Sequence, residues 1–189
     1  DHVAGFERLF VATYFDPARR GKAKLYVPAT VVPLLHQRIG DYPNVLAEGG
    51  VNFWDAFQVI PVGASFWHDG MRLEVFPARH HWPETAYGLR LHGSVVWTGD
   101  TRPIPEVLAK FADAGELIAH DCSLHGNPSH SGIDDLEREY PVELLQRCVL
   151  YHYASAADGE ALVARGHRVA HPGEVIALQD TTAARIPPP

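Results

Sequence analysis

The residues of this 189-residue chain that could do chemistry are carboxylates and imidazoles set at the ends of apolar runs. Ser94 to Thr101 reads SVVWTGDT, a run that stops at a glycine and presents one carboxylate, Asp100. Open α/β sheets place their chemistry at the carboxyl ends of strands, so Asp100 is the centre of the candidate site. Asp1 and His2, His80 or His81, and His152 are the other strand-end candidates that would have to converge on it. Carboxylate oxygen and imidazole nitrogen are donors that Zn²⁺, Mn²⁺ and Fe²⁺ accept, and one carboxylate can bridge two such ions. Each position also has a plainer reading. Asp1-His2 is a chain terminus, Asp100 in Gly-Asp-Thr can cap a strand-to-helix turn, and His152 can be a satisfied core histidine. Only their combination points to metal.

The order Asp1-His2, His80-His81, Gly99-Asp100-Thr101 and Leu150-Tyr151-His152-Tyr153 resembles the metallo-β-lactamase fold superfamily. Within it the similarity is to the phosphodiesterase branch, which includes ribonuclease Z and the cyclic-nucleotide phosphodiesterases. The resemblance runs from residue 1 to about residue 178. It implies an α/β chain built as an αββα sandwich. The family's first motif, H-x-H-x-D-H, is present only in its last two letters, Asp1-His2. The two leading histidines and the strands before them are missing, so the sandwich is expected to lack its N-terminal strands. The chain reads as N-terminally incomplete, and the alternative is a variant that lost one metal position.

Carried over residue by residue, the resemblance implies that Asp1 and His2 bind the second metal, with Asp1 also orienting the nucleophilic water. His80 would bind the first metal, since Phe76-Pro77-Ala78-Arg79-His80 looks most like the family's spacing, and His81 would stand beside it or touch substrate. Asp100 would bridge, and His152 would bind the second metal. Ribonuclease-Z-like enzymes carry a His-Glu pair and a later His-Ser-Thr, whose counterparts here are His120-Asp121 and His130-Ser131-Gly132. Aspartate stands for glutamate and glycine for threonine. Asp121 would hold His130 upright and charged as the general acid, because a carboxylate fixes the tautomer of an imidazole and raises its pKa. The alternative for His130 is a surface loop histidine.

Two divalent ions about 3.5–4 Å apart would share Asp100 and a hydroxide that attacks phosphorus, while His130 helps the leaving oxygen depart. The implied function is a metal-dependent hydrolase, a phosphodiesterase acting on a small phosphodiester such as a cyclic nucleotide. Zinc is the first choice of metal, with manganese or iron as alternatives. A lactonase or thioesterase of the same fold would turn the same metals on a carbonyl. A ribonuclease would need basic surface from elsewhere, and a non-catalytic binding module would follow if the first metal position were truly lost.

The formal net charge of −7 argues against a general nucleic-acid surface, and the densest basic run, Arg19-Arg20-Gly21-Lys22-Ala23-Lys24, is short. No apolar run has the length of a membrane span. Two cysteines, Cys122 and Cys148, are too few for a disulfide framework, which fits a reducing cytoplasm. The expected partner is a small-molecule phosphodiester and not nucleic acid or membrane, with a homodimer as an allowed assembly.

These positions need elements to hold them. Apolar periodicity predicts a helix over 3–15, a strand over 24–27, and a helix over 30–39 with Thr30 as N-cap and Gly40 as its stop. Strands at 57–62, 64–67, 71–77, 86–91 and 94–98 read as a meander within one sheet, turning at Asp69-Gly70 and His92-Gly93. Then follow a helix at 105–111, a strand at 117–121, helices at 132–140 and 142–146, a strand at 148–151 and a helix at 158–165. A hairpin of 168–171 and 174–178 is expected to close the sheet. Residues 1–180 form one expected domain and residues 181–189 a tail.

Overall fold

The computed structural model describes residues 2–42 and 45–178. The chain divides into two compact units, Asp1–Gly63 and Ala64–Pro189.

The first unit contains α1 (Phe6–Tyr14), β1 (Ala23–Pro28), α2 (Val32–Ile39), a short antiparallel pair β2 (Val45–Leu46) and β3 (Gly49–Gly50), a 3-10 turn (Phe53–Ala56) and β4 (Phe57–Val62). β1 and β4 pair in parallel, from Ala23 opposite Phe57 to Pro28 opposite Val62. The core is aromatic: Phe10 is fully buried and stacks on Phe53 with ring centroids 5.3 Å apart. α2 begins at Val32 with proline in its first turn and no side-chain cap, so Thr30 is not its N-cap. Gly40 does end it, with its amide on the His36 carbonyl.

The second unit carries β5 (Ser65–His68), β6 (Met71–Pro77), β7 (Tyr87–Leu91), β8 (Val95–Trp97), α3 (Pro105–Phe111), β9 (Leu117–Asp121), α4 (Ile133–Glu139), α5 (Val142–Leu145), β10 (Cys148–Tyr151), α6 (Ala156–Ala164) and β11 (Arg168–Val169). Its strands form one seven-stranded sheet in the order β11-β10-β9-β8-β7-β6-β5. β5 to β8 are antiparallel neighbours and β8 to β11 parallel ones. β10, CVLY, is buried along nearly its whole length, as a strand between parallel neighbours should be. Phe76, Ile104, Leu108, Ile118, Leu136 and Leu162 belong to the fully buried core of this unit.

Three sequence expectations differ from the structure here. Residues 57–62 do not join the meander but pair with β1 in the first unit, because an apolar strand pattern records burial and not the identity of the partner strand. No closing hairpin forms at 168–178: β11 is two residues long and parallel to β10, and the chain then turns at 171–174, where the His171 amide donates to Glu174 Oε2 at 3.0 Å. The helix expected at 158–165 also begins earlier, at Ala156, because Ser155 caps it.

Strand direction decides where side chains can meet. β6 is antiparallel to β7 and β7 to β8, so β6 runs the same way as β8, β9 and β10. The carboxyl ends of those four strands therefore lie on one edge of the sheet.

The turn leaving β8 depends on Gly99, whose φ is +64° and whose hypothetical Cβ would sit 2.9 Å from the Tyr87 carbonyl oxygen. Both the left-handed backbone and the close approach exclude a side chain. Gly99→Ala is expected to destabilise the protein by about 1–3 kcal/mol, measured by chemical denaturation with an unchanged m-value.

Candidate active site

Asp100, Asp121 and His152 stand at or just beyond the carboxyl ends of β8, β9 and β10, His80 follows β6, and His130 lies in the loop between β9 and α4. His80 Nε2 is 3.8 Å from Asp100 Oδ2, and His152 Nε2 is 4.0 Å from the same oxygen. His130 Nδ1 donates to Asp121 Oδ2 at 2.8 Å, and His152 Nδ1 lies 3.2 Å from Asp121 Oδ1. The imidazoles pack against one another, with ring centroids 4.6 Å apart for His80 and His130 and 4.7 Å for His130 and His152. The structure thus brings together five of the residues singled out in the sequence. Asp1 lies outside the described residues, and His2 stands exposed in the turn before α1 of the first unit.

His80 and His81 are not on β6, which ends at Pro77, but in the bend after it. His80 is buried and directed at Asp100, whereas His81 is exposed with its ring 3.9 Å from that of His80, centroid to centroid. Backbone contacts fix the bend. The Arg79 amide donates to Thr101 Oγ1 at 3.0 Å, the Arg102 amide to the Arg79 carbonyl at 2.7 Å, and the Arg79 guanidinium to the Pro103 carbonyl at 3.0 Å. His80 Nδ1 donates to the Ser129 carbonyl at 3.0 Å, which directs Nε2 toward Asp100.

The loop bearing His130 is held by charge. Arg102 Nη1 bonds Asp135 at 2.6 Å and the His130 carbonyl at 3.0 Å, and the Gly132 amide donates to Asp135 Oδ2 at 3.1 Å. Arg102 is the main reason that the Asp135 carboxyl is held well below the usual carboxylate range. Asp121 is fully buried; burial raises its pKa, opposed by the Thr101 amide at 2.7 Å and by the two imidazoles. Beneath it, His120 is fully buried and lowered to about 4 by that burial, so it is neutral. Its Nδ1 donates to the Asp121 carbonyl at 2.7 Å, and the Tyr140 hydroxyl donates to its Nε2 at 2.6 Å. Sequence reasoning missed the support from Tyr140, Arg102 and the Ser129 carbonyl, since no local pattern announces a contact across 20 to 49 residues.

His152 itself adopts φ +73°, a left-handed conformation that costs a non-glycine residue about 1–3 kcal/mol. Strain of this kind persists where its surroundings dictate it, here directly after a buried parallel strand.

The donor set fits a divalent cation. Asp100, Asp121, His130 and His152 each offer a ligand atom, all within 4.8 Å of one another, with His80 Nε2 close to Asp100 as well. Asp121 Oδ1 is buried without a hydrogen bond, although His152 faces it. A second grouping, His92, Asp113 and Glu116, has a different character. The Glu116 oxygens are already occupied by Arg90 and by the amides of Gly93 and Asp113, so they hold the fold together. Beside His130 and His152 opens a cleft of about 400 Å³, walled by Ser123, Leu124, His125, Asn127, Ala154 and Asp158.

Residues 1–176 match the family described as anti-Pycsar protein Apyc1. The chain belongs to this family. The curated Apyc1 of Paenibacillus harenae is 25% identical over 163 residues, covering 84% of this chain and 66% of that protein. The chain therefore spans slightly less than two thirds of the length of that relative. Among solved structures, a diphosphatase of the PhnP family superposes with a TM-score of 0.68 at 15% identity, covering 96% of this chain and 68% of that one. The metallo-β-lactamase fold protein YhfI of Bacillus subtilis gives 0.57 at 13% identity, over 89% and 69% of the two chains. The Apyc1-family chain thus has the metallo-β-lactamase fold. Among the described residues no helix is long and apolar enough to cross a membrane.

Proposed function

We propose that this chain is a metal-dependent hydrolase that cleaves a small phosphodiester, a cyclic nucleotide being the best candidate. The supporting observation is the Asp121–His130 hydrogen bond of 2.8 Å placed within the carboxylate–imidazole cluster, with His130 lining an open cleft. Membership of the Apyc1 family and the likeness to a PhnP-family diphosphatase agree with phosphorus-centred chemistry.

In this reading His80, Asp100 and His152 would hold divalent metal, with Asp100 the ligand shared between ions. Divalent cations, zinc first among them, would neutralise phosphoryl charge and acidify a water. The remaining work falls to the chain. Asp121 accepts from His130 Nδ1, leaving Nε2 to carry a proton to the departing oxygen. The Thr101 amide on Asp121 Oδ2 keeps that carboxylate from rotating.

Elemental analysis of the purified protein tests the metal assignment. About two divalent ions per chain are expected, and Asp100→Ala should lose most of the bound metal together with hydrolysis of a 3′,5′-cyclic nucleotide. Full metal content in that variant would remove Asp100 from the bridging position. One ion or none in the wild type, with no hydrolysis on adding Zn²⁺ or Mn²⁺, would favour a binding module.

A further inference from the structure

The cleft beside His130 and His152 contains one charged group that the mechanism does not use. Asp158 lies in the first turn of α6, half-buried, with its amide accepted by the Ser155 hydroxyl at 3.2 Å. Among the described residues its carboxylate has neither a hydrogen-bond partner nor an ion-pair partner. Two neighbouring polar atoms are already engaged. Ser123 Oγ donates to the His125 carbonyl at 2.6 Å, and Asn127 Oδ1 accepts from the amides of Ser129 and His130 at 2.8 and 2.9 Å. A half-sheltered carboxylate in a cleft is stabilised by a donor, and among the described residues none bonds it.

We propose that Asp158 is a specificity-determining residue that accepts a hydrogen bond from a sugar hydroxyl of the substrate. The inference rests on the phosphodiesterase reading and deepens it. If His130 protonates the leaving oxygen, the leaving group lies on the His130 side, and the cleft that His130 lines is the space open to it. An anionic acceptor in that wall selects a neutral, hydroxylated group and repels a second phosphate. A ribose meets both conditions. A volume of about 400 Å³ is ample for a nucleoside and lies within the usual range for small-molecule sites.

The test compares a 3′,5′-cyclic ribonucleotide with its 2′-deoxy counterpart. For the wild type, kcat/KM should favour the ribonucleotide by about 10- to 150-fold, the factor that corresponds to a hydrogen bond to a charged group. Asp158→Ala should bring the ratio toward unity, and Asp158→Asn, which keeps an acceptor without the charge, should lie between. Calorimetric binding of the two nucleotides to the His130→Ala protein should show the same preference without turnover. Equal efficiency on both nucleotides, or an unchanged ratio in Asp158→Ala, would overturn the assignment and leave the phosphodiesterase reading standing. Hydrolysis of neither nucleotide would overturn the reading and this inference together.

Discussion

Replacing His130 with alanine is expected to lower turnover of a cyclic nucleotide by about 10²–10⁴-fold while leaving metal content near the wild-type level. The imidazole donates its Nδ1 proton to Asp121 at 2.8 Å, and Asp121 is held by the Thr101 amide, so the orientation of His130 is set by two contacts outside its own loop. Its ring is only partly exposed and lines the 400 Å³ cleft, where a leaving group can reach it. Asp121→Asn should lose a comparable factor, since the amide cannot provide the charge that holds the imidazolium. The double variant should fall little further, because the two residues act as one unit. The leaving group provides the sharper check. A p-nitrophenyl phosphodiester releases an oxygen that needs no proton, so its hydrolysis should suffer much less in His130→Ala than that of a nucleotide. Equal losses on both substrates would show that His130 positions substrate and is not the acid.

Arg90→Met is expected to destabilise the protein by about 3–5 kcal/mol, because it strips the cation from a buried carboxylate. Arg90 lies on β7 directly across from Glu74 on β6, and both Arg90 and Glu116 are almost fully buried. The guanidinium reaches Glu116 through Nε at 3.0 Å and Nη2 at 2.8 Å, and Glu74 through Nη1 at 2.8 Å, with Asp113 as a third partner. Burial opposes the charge on Arg90, but these carboxylates prevail and its pKa is raised. One cation therefore serves three acids, and Glu116 also accepts the Gly93 and Asp113 amides. Removing Arg90 leaves that group charged and enclosed. The predicted loss corresponds to a fall in Tm of about 6–20 °C for a protein of this size. Arg90→Lys should lie between, as an ammonium cannot reproduce the fork. Adding Glu116→Gln to Arg90→Met should recover part of the loss. Denaturant midpoints for the wild type, Arg90→Met, Arg90→Lys, Glu116→Gln and the double variant check the series, and additive single effects would show that the pair is not coupled.

Much of this molecule is written locally. The runs at 71–77, 117–121 and 148–151 became β6, β9 and β10 at those boundaries, since apolar continuity bounded by turn residues is enough to define a strand. Asp69-Gly70 and Pro105 set a turn and a helix start for reasons internal to their own φ angles and missing donors. Residue type and the family resemblance likewise singled out Asp100 and His152 as metal donors and Asp121 with His130 as an acid pair, and the structure brings these four side chains together.

Other features were decided only in three dimensions. His80 and His81 are chemically identical neighbours. The Ser129 carbonyl, 49 residues downstream of His80, is what engages His80 and directs it at Asp100. The alternation in β7 would make Arg90 an error in a core strand, were it not for carboxylates arriving from β6 and from the turn before β9. Asp158 reads in sequence as an ordinary first-turn acid, and only the loop from Ser123 to Asn127 folding opposite makes it the wall of a cleft. The elements and the chemical types at their ends are local properties of the chain, because dihedral preference and hydrophobic period act over a few residues. Tertiary structure decided which strand pairs with which, which imidazole faces Asp100 and which charges are enclosed, because burial and Coulomb energy depend on groups that meet only when distant strands register.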